Sequence, residues 1–283
     1  MIPTDIKQLL FVCVGLLLFV QSCYIDDASV SPGLPLPYLT VAELFDSTRT
    51  NLQQFNLDAS KDNSVVTDRG AVLNLDASSF TDQGGNPVQG SIRLELREVY
   101  EAPQILLNDL TTAVDDELSE SIGLIELAAF KNNEPIQLNK RASMVLPNES
   151  FVQGQSDFAL AFGNPVGGSP SVDWVKAPNT NDQVEFMSGE GYELRFDQLG
   201  WINPYREIDN TGTNYDLEAQ AVGFGTVLTD QMAFLIGKNA NTVSRFQRNG
   251  DLFKLQQLPD DFEGFIVIIA MTRNQLFLGT QEV

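Results

Sequence analysis

The chemistry open to this chain is bounded first by its residue types: 283 residues hold two cysteines, 38 aspartates and glutamates, and no histidine. Without imidazole there is no Ser-His-Asp triad, no Cys-His pair, no histidine-bearing zinc site and no two-His-one-carboxylate iron site. Ser-x-x-Lys, Gly-x-Ser-x-Gly and Walker phosphate loops do not occur either. What remains is carboxylate chemistry and the reactivity of a thiol. Two carboxylates from any pair of strands can hydrolyse a glycoside when they stand about 5 to 10 Å apart. Oxygen ligands at alternate positions suit calcium, and Asp58-Ala59-Ser60-Lys61-Asp62 has that alternation, although it lacks the glycine and the last acid of an EF-hand loop. Asp58 and Asp62 are therefore weak calcium candidates, with the loop Asp209 to Asp216 no better spaced. No cofactor is expected.

The thiol with a clear context is Cys23. It follows the apolar run Leu9 to Val20 and then Gln21-Ser22. That run is too short for a membrane-spanning helix, which takes about 20 residues, but fits the roughly 7 to 15 of a signal h-region. Lys7 lies ahead of the run, Val20 three positions before the thiol and the small Ser22 beside it. This is the lipobox pattern of bacterial lipoproteins, in which the thiol receives a diacylglyceryl group and the chain is cut before the cysteine. Residues 1–22 then read as a lipoprotein signal peptide, and 23–40 as a lipidated tether whose acyl chains, palmitate among them, sit in the outer membrane. An ordinary secretory peptide that happens to contain Cys23 is the alternative. Cys13 leaves with the signal, so no disulfide forms, and a chain of about 260 residues is large enough to hold itself by burial alone.

Pro32, Pro35 and Pro37 keep the tether extended at about 3.1 Å per residue, which holds the rest tens of ångströms from the lipid. Asp26 and Asp27, just past Cys23, resemble the acidic export signal of surface lipoproteins in the Bacteroidota and slightly favour the cell surface over the periplasmic face. Asp5 and Lys7 cancel, so the mature chain keeps the formal charge of −21. Such a surface is repelled by nucleic acid and by anionic headgroups, whose affinity comes largely from Lys and Arg on phosphates. Nucleic acid is therefore not an expected partner; the membrane is reached through the lipid.

The remaining chain has the period of two that marks half-buried strands. Ile92, Leu94 and Leu96 alternate with Arg93, Glu95 and Arg97, and Tyr192 to Asp197 repeats the pattern. Ile122–Phe130 and Phe265–Met271 are more continuously apolar, as strands covered on both faces are. Turn chemistry separates them at Gln83–Pro87, Asn132–Pro135, Asn164–Gly168 and Asn249-Gly250. Helix is expected only in short pieces, Thr40–Phe45 and Val114–Ser119. A stretch rich in turn formers over residues 147–182 suggests a division into a first β-sandwich domain at 41–148 and a second β domain at 149–283. The fold class is mainly β, two antiparallel β-sandwich-like domains after the signal and tether.

Gly70 to Phe80, Asp82 to Gly90 and Ile92 to Glu98 together resemble a segment of uncharacterised lipoproteins of the Bacteroidota. Asn108–Thr112, Leu118–Gly123, Ile125–Ala129 and Asn133–Gln137 follow in the order those proteins show. Leu199-Gly-Trp-Ile-Asn-Pro-Tyr-Arg206 is similar to their Gly-Trp-Ile-Asn-Cys-Asp-Arg-Phe signature, with Pro204 and Tyr205 where cysteine and aspartate are usual. The resemblance covers roughly residues 50 to 280 and implies a two-part β-sandwich envelope lipoprotein without an assigned reaction. The first segment is also distantly similar to the β interaction domain shared by ankyrins and netrin receptors.

Function is thus expected to be non-enzymatic: binding or scaffolding of an envelope or extracellular protein or glycan from a lipid anchor on Cys23. A surface glycan-binding accessory protein is the first alternative, with Trp174, Tyr205 and Tyr215 as sugar-stacking candidates because Trp174 lies in a polar, Pro-flanked stretch and the tyrosines near loops. Trp201 reads as core. A carboxylate-dependent glycoside hydrolase is the second alternative.

Overall fold

The computed structural model describes residues 40–147, 157–166, 171–179, 182–187, 191–222, 228–272 and 275–283. Strands account for 56 % and helices for 6 %, so the chain is mainly β, with several antiparallel sheets in sandwich-like layers. Residues 1–39, which hold the expected signal, Cys23 and all of the expected tether except Thr40, lie outside the described residues.

The chain enters the described part through α1 (Val41–Thr48), whose start is fixed by a capping box: Thr40 Oγ1 accepts from the Glu43 amide and the Glu43 carboxylate from the Thr40 amide. Val41 and Phe45 form its buried stripe. Two large sheets follow. The first runs in the order β1 (Gln53–Asp58), β5 (Ser91–Val99), β7 (Leu124–Lys131), β14 (Gly200–Glu207), β10 (Ala159–Pro165) and β11 (Val172–Lys176). Short strands β4 (Phe80–Thr81), β6 (Ser119–Ser121) and β8 (Glu134–Leu138) hang along it. The second sheet is β12 (Gln183–Met187), β13 (Gly191–Phe196), β9 (Ala142–Leu146), β3 (Val72–Leu75) and β2 (Asn63–Val66). Leu94, Leu96, Leu127, Phe162 and Ile202 from the first meet Leu73, Met144, Tyr192, Leu194 and Phe196 from the second in one core. Each such side chain contributes about 1.5–3 kcal/mol on burial.

A second, smaller pair of sheets completes the stack. One is β17 (Val243–Arg245), β16 (Asp230–Gly237), β20 (Gly264–Met271) and β21 (Leu276–Glu282). The other is β15 (Asn214–Ala219), β19 (Leu252–Pro259) and β18 (Gln247–Asn249). The apolar run of β20 is explained by its place between two cores: Val267, Ile269 and Met271 face the large sandwich, while Ile266 and Ile268 face the small sheet.

The expected division at 148/149 does not follow the strand pairing. β9 pairs with β13, and β14 pairs with β7 and β10, so both sides of residue 148 build one sandwich. Pairing partners change instead after Glu207, where β14 ends. Within the turn-rich stretch 147–182 the described residues include β10 and β11, both strands of the large sheet, while residues 148–156, 167–170 and 180–181 lie outside the described residues.

Two local expectations also change. Val114–Ser119 is not a helix. Val114 and Glu117 exchange backbone hydrogen bonds around Asp115 and Asp116, whose φ values of 51° and 65° place both in the left-handed region of a two-residue hairpin turn. The helix that forms nearby is α2 (Ala102–Leu107), begun by Pro103 in its first turn and buried through Ala102, Ile105 and Leu106. The apolar run 122–130 is likewise interrupted at Gly123, which has φ 152° and lies under the Tyr100 ring. A Cβ there would stand 2.4 Å from Tyr100 Cδ1.

Candidate functional site

Trp174 is carried by β11 and Trp201 by β14, on either side of β10. Gly163 on β10 is in register with both. Their side chains share the outer face of the large sheet, opposite the sandwich core, and Gly163 leaves the space in which they meet. The indole rings lie edge to face, 6.3 Å between centroids and 87° between planes. Trp174 Nε1 donates to the Thr111 carbonyl at 2.6 Å, which meets the indole's need for a partner on burial. Only 3 % of Trp174 is exposed.

Tyr205, two positions after the last residue of the Gly-Trp-Ile-Asn run, falls on the same face and is buried in the same cluster. Burial pushes its hydroxyl pKa up; Glu207 and Asp115 push the same way and Lys176 opposes them. Lys176 donates to Glu207 at 2.6 Å at this rim. Tyr215 lies elsewhere, half-buried against the core between the two smaller sheets, and its hydroxyl is also pushed up by burial and by Asp260. The structure thus brings Trp174 and Tyr205 together and leaves Tyr215 apart. It does not present Trp174 or Tyr205 as sugar platforms, because their faces are covered by α1, α2 and the four-stranded sheet, which supply Phe45, Ile105, Phe234 and Ile269 to the cluster.

The junction also holds polar groups that the sequence did not single out for this role. Asn203 is fully buried, and its Nδ2 donates to the Thr112 carbonyl at 3.2 Å. Thr112 in turn holds Val243 by two bonds, its amide donating to the Val243 carbonyl and its side-chain Oγ1 accepting from the Val243 amide. Asn241 Nδ2 donates to the carbonyls of Tyr100 and Ser121 at 2.6 and 2.9 Å. Nearby, Asp109 pairs with Arg245, and Ser171 bridges them. Burial pushes the Asp109 carboxyl up while Arg245 opposes. Asp109 has φ 61°, so this carboxylate is placed by a left-handed residue just past α2. An exposed Asn or Asp in sequence gives no sign of such a part, because burial is decided by elements that meet only in the fold.

Of the calcium candidates, Asp58 Oδ1 accepts from the Ser60 amide at 3.0 Å and its other oxygen faces Lys61 at 3.4 Å. The Ser60 amide is the main cause of the lowered pKa of Asp58. Asp62 Oδ1 accepts from the Ala77 amide at 2.7 Å. Asp58 thus serves its own turn, and Asp62 ties that turn to the chain fifteen residues on. Among the described residues no three Asp, Glu, Cys or His side chains converge as metal ligands, and no helix is long and apolar enough to cross a membrane. Cys23, the candidate for lipidation, lies outside the described residues. No family model and no curated protein matches the chain.

Proposed function

We propose that this chain is a lipoprotein of a bacterial envelope that presents a stack of β-sandwich layers from an anchor on Cys23 and acts as a non-enzymatic binding or scaffold module. The observation that carries the reading is the junction of an apolar run of signal length with Val20-Gln21-Ser22-Cys23, followed by a Pro-rich sequence up to Thr40. A similarity to uncharacterised Bacteroidota lipoproteins, centred on Gly200-Trp-Ile-Asn203, agrees with an outer-membrane address. The anchor confines the layers to a plane, so weak contacts act at high effective concentration.

The way α1 docks supports an orientation. The Val41 amide donates to Asp230 Oδ2 at 2.8 Å, so the chain leaves the tether beside the start of β16, where Asp230 is in register with Met271. Gly237 and Gly264 mark the opposite end of that sheet. At about 3.3 Å per residue the two ends are roughly 25 Å apart. In this reading the Asp230–Met271 end faces the membrane, and the Gly237–Gly264 end faces the partner. Protease treatment of intact cells tests the address: degradation of the protein, with a periplasmic control spared, is the outcome for surface display. Survival of a protein that is cleaved readily after lysis puts the layers on the periplasmic side. Recovery of the protein in the soluble fraction without lipid removes the reading altogether.

A further inference from the structure

At one end of the five-stranded sheet stands a carboxylate that no described group satisfies. Asp182 immediately precedes β12, its side chain is 1 % exposed, and neither carboxylate oxygen accepts a hydrogen bond. A carboxylate whose side chain is so enclosed is unfavourable as an anion unless a proton or a cation joins it. The Arg141 guanidinium, just before β9, is the nearest positive charge, but its Nε is 3.9 Å from Oδ1, outside hydrogen-bond reach, and 39 % of its side chain is in solvent. A second carboxylate, Asp197, follows β13, the strand between β12 and β9, and its like charge acts on Asp182. Asn179 links the two: its carbonyl accepts from the Asp182 amide at 3.0 Å, and its Nδ2 donates to Asp197 Oδ2 at 3.0 Å.

We propose that Asp182 and Asp197 bind a hard divalent cation, calcium by preference, with the Asn179 carbonyl as the adjoining oxygen donor. The donor set is oxygen only, which suits calcium or magnesium and not zinc or copper. Calcium tolerates irregular geometry and water ligands, so two carboxylates and a carbonyl suffice for a weak site, whereas magnesium demands a near-ideal octahedron. Arg141 offsets the charge when the cation is away and moves into solvent when it arrives. With so few charged ligands the affinity falls in the range of extracellular modules, about 10⁻⁴ to 10⁻³ M. Binding ties the ends of β12 and β13 together. The site does not depend on the lipoprotein reading.

The test is thermal unfolding and calorimetric titration of the full-length protein in mild detergent, stripped with EDTA, against calcium chloride and magnesium chloride. Calcium at ten times its dissociation constant should raise the folded-to-unfolded ratio about 11-fold, magnesium less. Asp182→Asn should abolish the calcium response and leave the protein folded, since the amide removes the buried charge. Asp197→Asn should weaken the response. Asp116→Asn, which removes an exposed carboxylate elsewhere, should keep it and so exclude general attraction to an acidic surface. A wild-type protein unmoved by millimolar calcium overturns the proposal, as does an Asp182→Asn protein that responds like wild type. Stabilisation on acidification alone, without a calcium response, also overturns it and assigns the site to a proton held by Asp182.

Discussion

Trp174 and Trp201 meet edge to face across Gly163, the residue that pairs with each of them on β10. A Cβ on Gly163 would come within 2.2 Å of Val172 Cγ1, 2.6 Å of Trp201 Cβ and 3.1 Å of Trp174 Cζ3. The absent side chain is thus what lets the two indoles close the face of the large sheet against the helices and the four-stranded sheet.

Trp174→Ala should lower stability by about 3–5 kcal/mol, the usual loss for a buried large aromatic. Denaturant midpoints measure it. Trp174→Phe should lose less, because the ring edge contact survives while the bond to Thr111 is lost. A tryptophan that stacked on sugar would give the opposite pattern, unchanged stability with lost polysaccharide binding.

Gly163→Ala should cost about 1–3 kcal/mol from overpacking, although glycine-to-alanine changes in strands ordinarily help. Chemical denaturation with an unchanged m-value would show that the loss is in the native packing.

The period-two strands were legible in sequence because each has one face in a core: Ile92, Leu94 and Leu96 all point into the large sandwich. Asn132-Asn133 and Asn249-Gly250 were legible because those residues take positive φ at little cost, as Asn132, Asn133 and Gly250 do here. The 148/149 division misled, since pairing of β9 with β13 is a long-range choice that composition does not encode. Trp174 misled for a related reason. Its polar, Pro-flanked neighbours describe the outer edge of β11, while its burial comes from α1, α2 and β16. Asp115-Asp116 read as helix because left-handed Asp is uncommon and the turn needs two in succession.

Asp82 caps the turn before β5: its carboxylate accepts from the amides of Gly84 and Asn86 at 2.9 and 2.8 Å and from Asn86 Nδ2. These bonds, Asn86 first, hold its pKa below the ordinary 3.8. A lowered carboxyl pKa gives stability that is present above the unfolded value and lost as pH falls through the folded one. The stability gap between wild type and Asp82→Ala should therefore be constant near neutrality and shrink below about pH 4. A gap that persists unchanged in acid would contradict the assignment.

Asp109 shows the reverse sign. Its carboxyl is raised by burial, so its contribution is greatest at low pH and is lost as pH rises through the folded value. Arg245→Met removes the cation that opposes this shift. Breaking a fully buried pair costs about 3–5 kcal/mol, and the 31 % exposure of Arg245 reduces that figure. The variant should be less stable at pH 8 than wild type and should recover part of the difference at acid pH, as urea titrations at the two pH values would show.

The mass of the N-terminal peptide, read on the protein purified from its own membrane, decides whether Cys23 carries the proposed anchor. The first residue should be Cys23 carrying a thioether-linked diacylglyceryl group, and Cys23→Ser should leave an uncleaved, unlipidated precursor. An unmodified thiol at position 23, or a cut elsewhere with no lipid, would rule the anchor out.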